Sequence, residues 1–253
     1  MKTIDLNSDL GEGFGDYVMA DDAALLEIVS SANVACGFHA GDPVTMHAVA
    51  RLAVARGVCI GAHIGYPDRQ GFGRRHIAYE PKELELMTLY QLGALRAIVE
   101  SVGGRLTHAN FHGALGNLSF VDYEVAATVL RAVRTFDRGL KFVALPFTEA
   151  FKAAQDLGIE TVTSFLADRA YTREGLLVSR KQPGAVIHDP EAIRERVRRV
   201  LEEGRIETVD GDAIEMKVDS ILVHGDTADA LEIARGIRDA AIEAGYEIRP
   251  LAS

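Results

Sequence analysis

Cysteine, positive charge and long apolar runs are all scarce in this sequence. Its 253 residues include two cysteines, Cys36 and Cys59, which are too few for a disulfide scaffold and predict free, buried thiols in a reducing, cytoplasmic compartment. Lysine and arginine number 27 against 37 aspartates and glutamates, and the net charge of -10 disfavours nucleic acid and anionic membrane surfaces as partners. No apolar run approaches the ~20 residues that a membrane span needs, so no membrane partner is expected.

Familiar nucleotide-binding and catalytic motifs are absent as well. The sequence has no GxxxxGK[ST] loop, and GEGFG at Gly11–Gly15 lacks the spacing of a dinucleotide loop, so the chain shows no nucleotide cradle of its own. It has no GxSxG elbow, no HExxH and no paired CxxC. Any chemistry is therefore expected from side chains that lie far apart in sequence.

Short apolar runs alternate with long amphipathic stretches along the whole chain. This alternation predicts parallel strands joined by helices. The predicted strands are Thr3–Leu6, Ala32–Cys36, Val58–Gly61, Leu106–Phe111, Phe142–Leu145, Thr161–Phe165 and Ser220–Val223. They predict an α/β fold, a (β/α) barrel of about seven strands that residues 1–253 form as a single domain, with a doubly wound open sheet as the alternative.

Capping signals place the helices between these strands. Asp42-Pro43 and Asp189-Pro190 each predict an N-cap followed by proline at the first helical position. Further helices are predicted at about 23–30, 81–102, 122–136 and 148–157, and a last one ends at Gly245. Residues 205–217 interrupt the alternation and predict a small hairpin.

Acidic, amide and imidazole side chains follow most of the predicted strands. In a parallel barrel these positions share the C-terminal face, where active sites are built, so we expect them to form one site. The candidate catalytic residues are Asp9, His39, His63, His112, Asp168 and His224. The candidate substrate-binding residues are Asn7, Glu12, Asp68, Asn117, Arg169 and Asp226. The candidate ligands for a divalent metal are Asp9, His39, His63 and His112.

Some of these positions also have plain structural interpretations. Asp42 and Asp226 could each serve as a helix N-cap. His108 lies inside the fourth predicted strand, upstream of its end, which favours a satisfied buried histidine. Two long loops, Gly65–Arg75 and Arg169–Lys181, are rich in arginine, and such loops in an acidic protein predict attraction of an anionic substrate; a solvated charged surface is the alternative.

The ordered motifs of the chain resemble those of one family. The segments that carry the resemblance are IDLNSDLGEGFG, SANVACGFHAGDP, GAHIGYPDRQGFGRR, FHGALGN, ADRAYTREGLLVSRKQPGAVI and VHGDT, which together extend from residue 4 to about residue 240. The sequence is identified by them as a member of the LamB/YcsF family, whose characterised members are 5-oxoprolinase subunits. The resemblance adds Tyr171 to the substrate-binding candidates and implies a barrel of the glycoside hydrolase/deacetylase type.

The family resemblance also implies an activity. Its members take part in ATP-dependent cleavage of the lactam 5-oxoproline (pyroglutamate) to L-glutamate, together with B and C subunits that would bind the ATP. The chain departs from the family pattern at Ser8, at Ile64 and in the segment Asn110–Asn117, where a lysine and a tyrosine are missing. The departures leave the exact lactam open, and self-association into a homo-oligomer is left open too.

Ring opening of an amide needs a base for water, a proton for the leaving nitrogen and stabilisation of the oxyanion. We expect Asp9 to activate the water, Asp168 or His224 to serve the leaving nitrogen, and Arg169 to hold the substrate carboxylate. Two alternatives belong to other functional classes: a metal-dependent amidase or deacetylase that works without ATP, and a non-catalytic subunit that binds the lactam.

Overall fold

The computed structural model describes residues 2–225 and 229–252, and its elements alternate as the sequence predicts. The strands are β1 (Lys2–Leu10), β2 (Ser31–Ala35), β3 (Cys59–Ile64), β4 (Leu106–Phe111), β5 (Lys141–Ala144), β6 (Thr161–Leu166), β7 (Arg205–Glu207), β8 (Ala213–Glu215), β9 (Ser220–Val223) and β10 (Tyr246–Ile248). The helices are α1 (Asp22–Leu25), α2 (Pro43–Arg56), α3 (Pro81–Ser101), α4 (Gly113–Ser119), α5 (Tyr123–Phe136), α6 (Glu149–Asp156), α7 (Pro190–Glu203) and α8 (Ala230–Glu243).

Seven parallel strands close into a barrel, which confirms the predicted fold and excludes the open sheet. Their order is β1-β2-β3-β4-β5-β6-β9, and β9 completes the circle by pairing with β1. The short β10 lies outside the circle and extends it by pairing with the first residues of β1. The antiparallel pair β7–β8 forms the predicted hairpin between α7 and β9.

The predicted strand positions are confirmed, but β1 is longer than predicted. Polar Asn7 and Asp9 belong to the strand, because alternate residues of β1 face a barrel interior that is itself polar. His63 likewise lies within β3 rather than after it. The sequence did not predict α4, which contains two glycines, or the three-residue β10.

The helix N-caps behave as predicted. The Asp42 side chain accepts hydrogen bonds from the backbone N–H groups of Val44 and Thr45 at the start of α2. It also accepts one from Gly15 N–H, so the same carboxylate attaches the loop after β1 to this helix. Asp189 caps α7 in the same way through Glu191 N–H. Asp226, a candidate for both roles, lies outside the described residues.

The hydrophobic core lies between the barrel and its surrounding helices rather than inside the barrel. It includes outward-facing side chains such as Leu6 and Leu10 of β1, together with the inner faces of the helices, for example Val129 and Val133 of α5. Both cysteines are buried and unpaired, as predicted. No helix in the described part of the chain is long and apolar enough to cross a membrane. Packing outside the barrel leaves the interior free for polar side chains.

Candidate active site

A cavity of about 520 Å³ opens at the carboxyl ends of the barrel strands. Its polar wall is formed by strand-end residues and by the two arginine-rich loops. The polar and charged residues that line it are Asp9, His63, Arg74, Asn110, His112, Asn117, Ser164, Arg169, Ser179, Arg180, Lys181 and His224. Six candidates from the sequence therefore line one cavity: the catalytic Asp9, His63, His112 and His224, and the substrate-binding Asn117 and Arg169.

Four buried side chains form a compact cluster at one side of this cavity. Glu12 Oε1 lies 3.2 Å from His39 Nε2, 3.8 Å from His63 Nε2 and 3.5 Å from His112 Nδ1. His63 Nε2 and His112 Nδ1 are 2.9 Å apart. All four ligand atoms lie within 4.8 Å of one another. The cluster matches the predicted metal-binding set except that Glu12 takes the place of Asp9, whose Oδ2 lies 3.5 Å from His63 Nε2.

Burial favours the neutral form of two imidazoles in this cluster, those of His39 and His112. The pKa of His39 is held well below its ordinary value by burial and by the neighbouring His112 and His63. Burial and the proximity of His63 do the same to the pKa of His112. His39 and His112 also stack face to face, with ring centroids 3.8 Å apart. Neutral, stacked imidazoles carry lone pairs that can accept a proton or bind a metal ion.

Two of the imidazoles are oriented by partners behind them. His112 Nε2 lies 2.7 Å from the carbonyl oxygen of Phe72. Because a carbonyl only accepts, the neutral His112 must carry its proton on Nε2 and present the Nδ1 lone pair to the cluster. His63 Nδ1 lies 2.7 Å from Asn110 Oδ1, which fixes that ring in the same manner. Such outer partners are typical of histidines that bind metals.

The loop 65–75 positions the Phe72 carbonyl over the cluster. Asp68 accepts hydrogen bonds from Gly71 N–H and from the Arg75 guanidinium, whose bonds and charge hold the pKa of this carboxyl below its usual range. Phe72 adopts a left-handed backbone conformation, with φ of 52°, and Gly73 follows with φ of 61°. A Cβ at Gly73 would lie 2.6 Å from His39 Cβ and 2.8 Å from His112 Cδ2, so only glycine fits above the stacked rings. Asp68 therefore anchors the loop.

Asp168 and His224 form an ion pair at the ends of β6 and β9. His224 Nδ1 lies 2.9 and 2.8 Å from the two carboxylate oxygens of Asp168. Burial opposes the charge on both groups, but each supports the charge of the other. The net result is a raised pKa for His224 and a lowered pKa for Asp168. The ion pair therefore favours the protonated form of the His224 imidazole and holds the ring in place.

Arg169 organises the loop that follows β6. Its Nε and Nη2 donate to the carbonyl oxygens of Ala185 and Val178, at 3.1 and 2.6 Å. Burial and the neighbouring Arg180 lower its pKa to about 10, which leaves it charged at neutral pH. Arg169 contributes positive charge to the cavity while most of its hydrogen-bonding capacity holds the loop.

Three further candidates, Asn7, Tyr171 and Asp68, do not line the cavity. Asn7 is fully buried beneath Asp9, inside the barrel. Tyr171 is buried, stacks on Phe165, and accepts a hydrogen bond from Leu166 N–H; burial raises its pKa above the usual value. Asp68 faces its own loop, as described above. Asp226 is outside the described residues.

Nearly the whole chain matches one protein family. Residues 4–253 match the LamB/YcsF family. The chain belongs to the LamB/YcsF family. One of the 5-oxoprolinase A subunits of Agrobacterium fabrum is 51% identical to it over 249 residues, which cover 98% of each chain. The 5-oxoprolinase A subunit of Rhodopseudomonas palustris is 47% identical over 253 residues, covering 100% of this chain and 99% of the relative.

Solved structures extend the comparison to the fold. The lactam utilization protein from Thermus thermophilus superposes with a TM-score of 0.93 at 41% identity, covering 98% of this LamB/YcsF chain and 100% of that one. The polysaccharide deacetylase Bc1974 from Bacillus cereus covers 100% of this chain and 93% of its own, with a TM-score of 0.50 at 14% identity. A GH113 β-1,4-mannanase covers 95% and 99%, with a TM-score of 0.52 at 12% identity. The last two share the fold, which agrees with the predicted glycoside hydrolase/deacetylase type.

The LamB/YcsF site also contains residues that sequence reasoning missed. Asn33 and Asn110 lie inside β2 and β4 and contact Asp9 and His63, at 3.0 and 2.7 Å. Each is an amide side chain buried within a strand, and a polar residue at such a position was the available signal. Arg74 lines the cavity and stacks its guanidinium 4.8 Å from the Phe72 ring centroid.

Proposed function

We propose that this chain is the A subunit of an ATP-dependent 5-oxoprolinase and that it opens the lactam ring of 5-oxoproline to yield L-glutamate. The observation that carries the proposal is that Asp9 and the ion-paired His224 line one cavity, in a chain about half identical to curated 5-oxoprolinase A subunits. A carboxylate and a protonated imidazole supply the base and the acid that ring opening needs.

Asp9 is the base in this proposal. Its Oδ1 accepts a hydrogen bond from Asn33 at 3.0 Å, and its Oδ2 lies 3.5 Å from His63 Nε2. The carboxylate is thus held by one oxygen while the residue lines the cavity. A water molecule beside Asp9 would lose a proton to it as the oxygen attacks the lactam carbonyl carbon.

His224 is the acid. Breaking the carbon–nitrogen bond requires a proton on the departing nitrogen, and the raised pKa of His224 keeps a proton available. Asp168 orients the ring through Nδ1, which leaves Nε2 to donate. Asp168 therefore acts through His224 rather than on the substrate.

The cationic wall of the cavity suits the substrate's carboxylate. Arg74, Arg169, Arg180 and Lys181 all line the cavity, which has Asp9 as its acidic residue among the described lining positions. Arginine matches a carboxylate through two parallel N–H groups. We assign substrate anchoring to this wall as a whole, since Arg169 spends two donors on its own loop.

The cluster of Glu12, His39, His63 and His112 fits a divalent metal ion. Ligand atoms around a tetrahedral zinc with bonds of about 2.0–2.1 Å lie roughly 3.3 Å apart, and four of the separations in this cluster range from 2.9 to 3.8 Å. His63 Nε2 and His112 Nδ1 face each other at 2.9 Å, an arrangement that a bound cation or a shared proton stabilises. When bound, the metal would polarise the lactam carbonyl as a Lewis acid.

ATP belongs to the partner subunits in this proposal, because the chain contains no phosphate-binding loop motif and its curated relatives are named as one subunit of 5-oxoprolinase. The reaction would take place in the reducing cytoplasm, where Cys36 and Cys59 stay unpaired. The partners are thus a small lactam and the B and C subunits.

The test is glutamate release from 5-oxoproline by the purified chain, with ATP, divalent metal and B and C subunits each present or omitted. Release that requires ATP and both partners supports the proposal, and the Asp9→Asn variant in the full assembly serves as the control for the site. A folded chain that releases no glutamate in the complete mixture would refute the proposed function.

The cluster of Glu12, His39, His63 and His112 supports a second candidate function, that of an amidase or deacetylase that needs a metal but neither ATP nor partner subunits. The same experiment separates the two, because this candidate predicts hydrolysis by the isolated chain that is abolished by a chelator. Metal content measured before and after dialysis, in the parent and in His63→Ala, tests the cluster without relying on activity.

A further inference from the structure

A chain of buried polar side chains extends along the barrel axis beneath the proposed base. We call it the axial network, and its members are Asp5, Asn7, Asp9, Asn33, His108 and Ser220. All six are at most 6% exposed. The network connects the N-terminal end of β1 with the catalytic end, through side chains from β1, β2, β4 and β9. Every member lies in a position that the proposed reaction does not use, apart from Asp9.

Asp5, at the N-terminal end of the barrel, determines which group donates and which accepts in each hydrogen bond of the network. An ionised carboxylate only accepts hydrogen bonds, so Ser220 must donate its hydroxyl proton to Asp5. The Ser220 oxygen is then the acceptor for the Asn7 amide nitrogen. Asn7 consequently turns its oxygen, Oδ1, toward Asn33, whose Nδ2 lies 2.7 Å away. Asn33 must meet this oxygen with its NH₂ group.

Asp9, at the other end of the network, requires the same orientation of the Asn33 amide. Asn33 Nδ2 lies 3.0 Å from Asp9 Oδ1, and a carboxylate at that position again demands a donor. The amide oxygen of Asn33 therefore faces His108 Nε2, at 2.9 Å, and His108 must donate. Its other nitrogen, Nδ1, lies 2.8 Å from the Thr107 hydroxyl oxygen, which also lies 3.1 Å from the Ile60 carbonyl oxygen. Burial and the nearby His63 lower the pKa of His108 to about 3, so this ring is neutral and has one proton to place.

We propose that Asn33 is a positioning residue that holds the Asp9 carboxylate in its reactive orientation, and that the axial network fixes the Asn33 amide so that it can only donate to Asp9. This inference rests on the proposed function, since it takes Asp9 as the base. Both ends of the network force the same amide orientation. Asp9 therefore has one oxygen immobilised before substrate arrives, and its second oxygen is the one available for chemistry.

A purely structural role for Asn33 predicts a different result. If Asn33 only fills space and satisfies neighbours, its replacement by a residue of similar shape lowers stability but spares turnover. Asn33→Leu is nearly isosteric and cannot donate. Thr88→Val is the matched control, because Thr88 is equally buried, its replacement removes one hydrogen bond to Leu84 O at 2.8 Å in α3, and it has no link to Asp9.

Both variants are compared with the parent in the complete glutamate-release assay, alongside thermal unfolding. We expect a fall in kcat of roughly 10²-fold for Asn33→Leu, since misplacing a catalytic group has an effect of about that size. We expect KM to change by no more than about threefold, because the substrate contacts remain. Thr88→Val should keep parental kinetics. A folded Asn33→Leu with a kcat within about threefold of the parent overturns the inference.

A second measurement does not depend on turnover. The network requires neutral His108 to carry its proton on Nε2, which ¹⁵N spectra of histidine-labelled protein report directly, with assignment by His108→Gln. A proton on Nδ1 overturns the inference even if Asn33→Leu does not fold, and a proton on Nε2 supports it. A parent assembly that releases no glutamate contradicts the proposed function, whereas the His108 tautomer still decides the orientation of Asn33.

Discussion

Gly61 in β3 offers the sharpest structural test, because the His108 ring occupies the space where a side chain at position 61 would lie. A Cβ at Gly61 would be 2.2 Å from both Cδ2 and Nε2 of that ring. The ring has no room to retreat, since it is fully buried and held by Asn33 and Thr107 at 2.9 and 2.8 Å. Gly61→Ala therefore forces the ring off its partners or displaces the strand.

The expected cost of Gly61→Ala combines two effects. Overpacking typically costs about 1–3 kcal/mol, and loss of the His108 hydrogen bond adds about 1 kcal/mol. The total of about 2–4 kcal/mol corresponds to a melting temperature lower by roughly 4–16 °C in a chain of this size. Turnover should fall too, because Asn33 would lose its fixed orientation.

Gly93→Ala is the matched control for this test. Gly93 lies in the middle of α3, and an added Cβ would meet no atom within 4 Å. Alanine in a helix interior should raise stability by about 0.5–1 kcal/mol. Differential scanning calorimetry of the two variants decides the matter. A Gly61→Ala protein that melts at or above the temperature of Gly93→Ala would refute the packing argument for the axial network.

Three further predictions concern single carboxylates. Asp9→Asn should nearly abolish glutamate release while leaving the melting temperature close to that of the parent, and near-normal turnover would contradict its role as base. Burial raises the pKa of Asp5 from 3.8 to about 6, so the folded state binds this proton more tightly than the unfolded state does. The free energy of unfolding should therefore fall by about 3 kcal/mol as the pH rises from about 4 to about 6. Urea titrations of Asp5→Asn over the same pH range should lack this fall. Asp68→Asn should accelerate tryptic cleavage within the loop 65–75, whereas Asp212→Asn, which breaks the exposed pair with Arg173, should not.

The barrel could be predicted from the sequence because strands and helices are indicated by patterns of neighbouring residues. Each strand of the circle except β1 presents a short apolar run, and the helices between them begin at capping residues such as Asp42 and Asp189. The length of β1 was underestimated for a physical reason. Asn7 and Asp9 read as a strand end by polarity, yet they face a barrel interior made of other polar groups, and that environment depends on strands more than 200 residues away, as the bond between Asn7 and Ser220 illustrates.

The sequence predicted which residues meet at the site, but not which of them contact one another. Parallel topology alone brings Asp9, His63 and His224 to one cavity. Glu12 joins the imidazole cluster because the backbone turns back at Gly11, whose φ is 69°, and no periodic pattern encodes where a side chain points after such a turn. Asn33 and Asn110 were missed because a polar residue within a strand has many explanations until its partner on a neighbouring strand is known.

Closure of the barrel by β9 has a consequence for biosynthesis. Ser220, which links Asp5 to Asn7, and His224, which faces the cavity, lie in and directly after the last strand of the circle, paired with β1 from the opposite part of the chain. Synthesis must therefore proceed through β9 and His224 before the proposed catalytic groups can assemble. A chain that ends before β9 would lack His224 and the strand that joins β1 to β6.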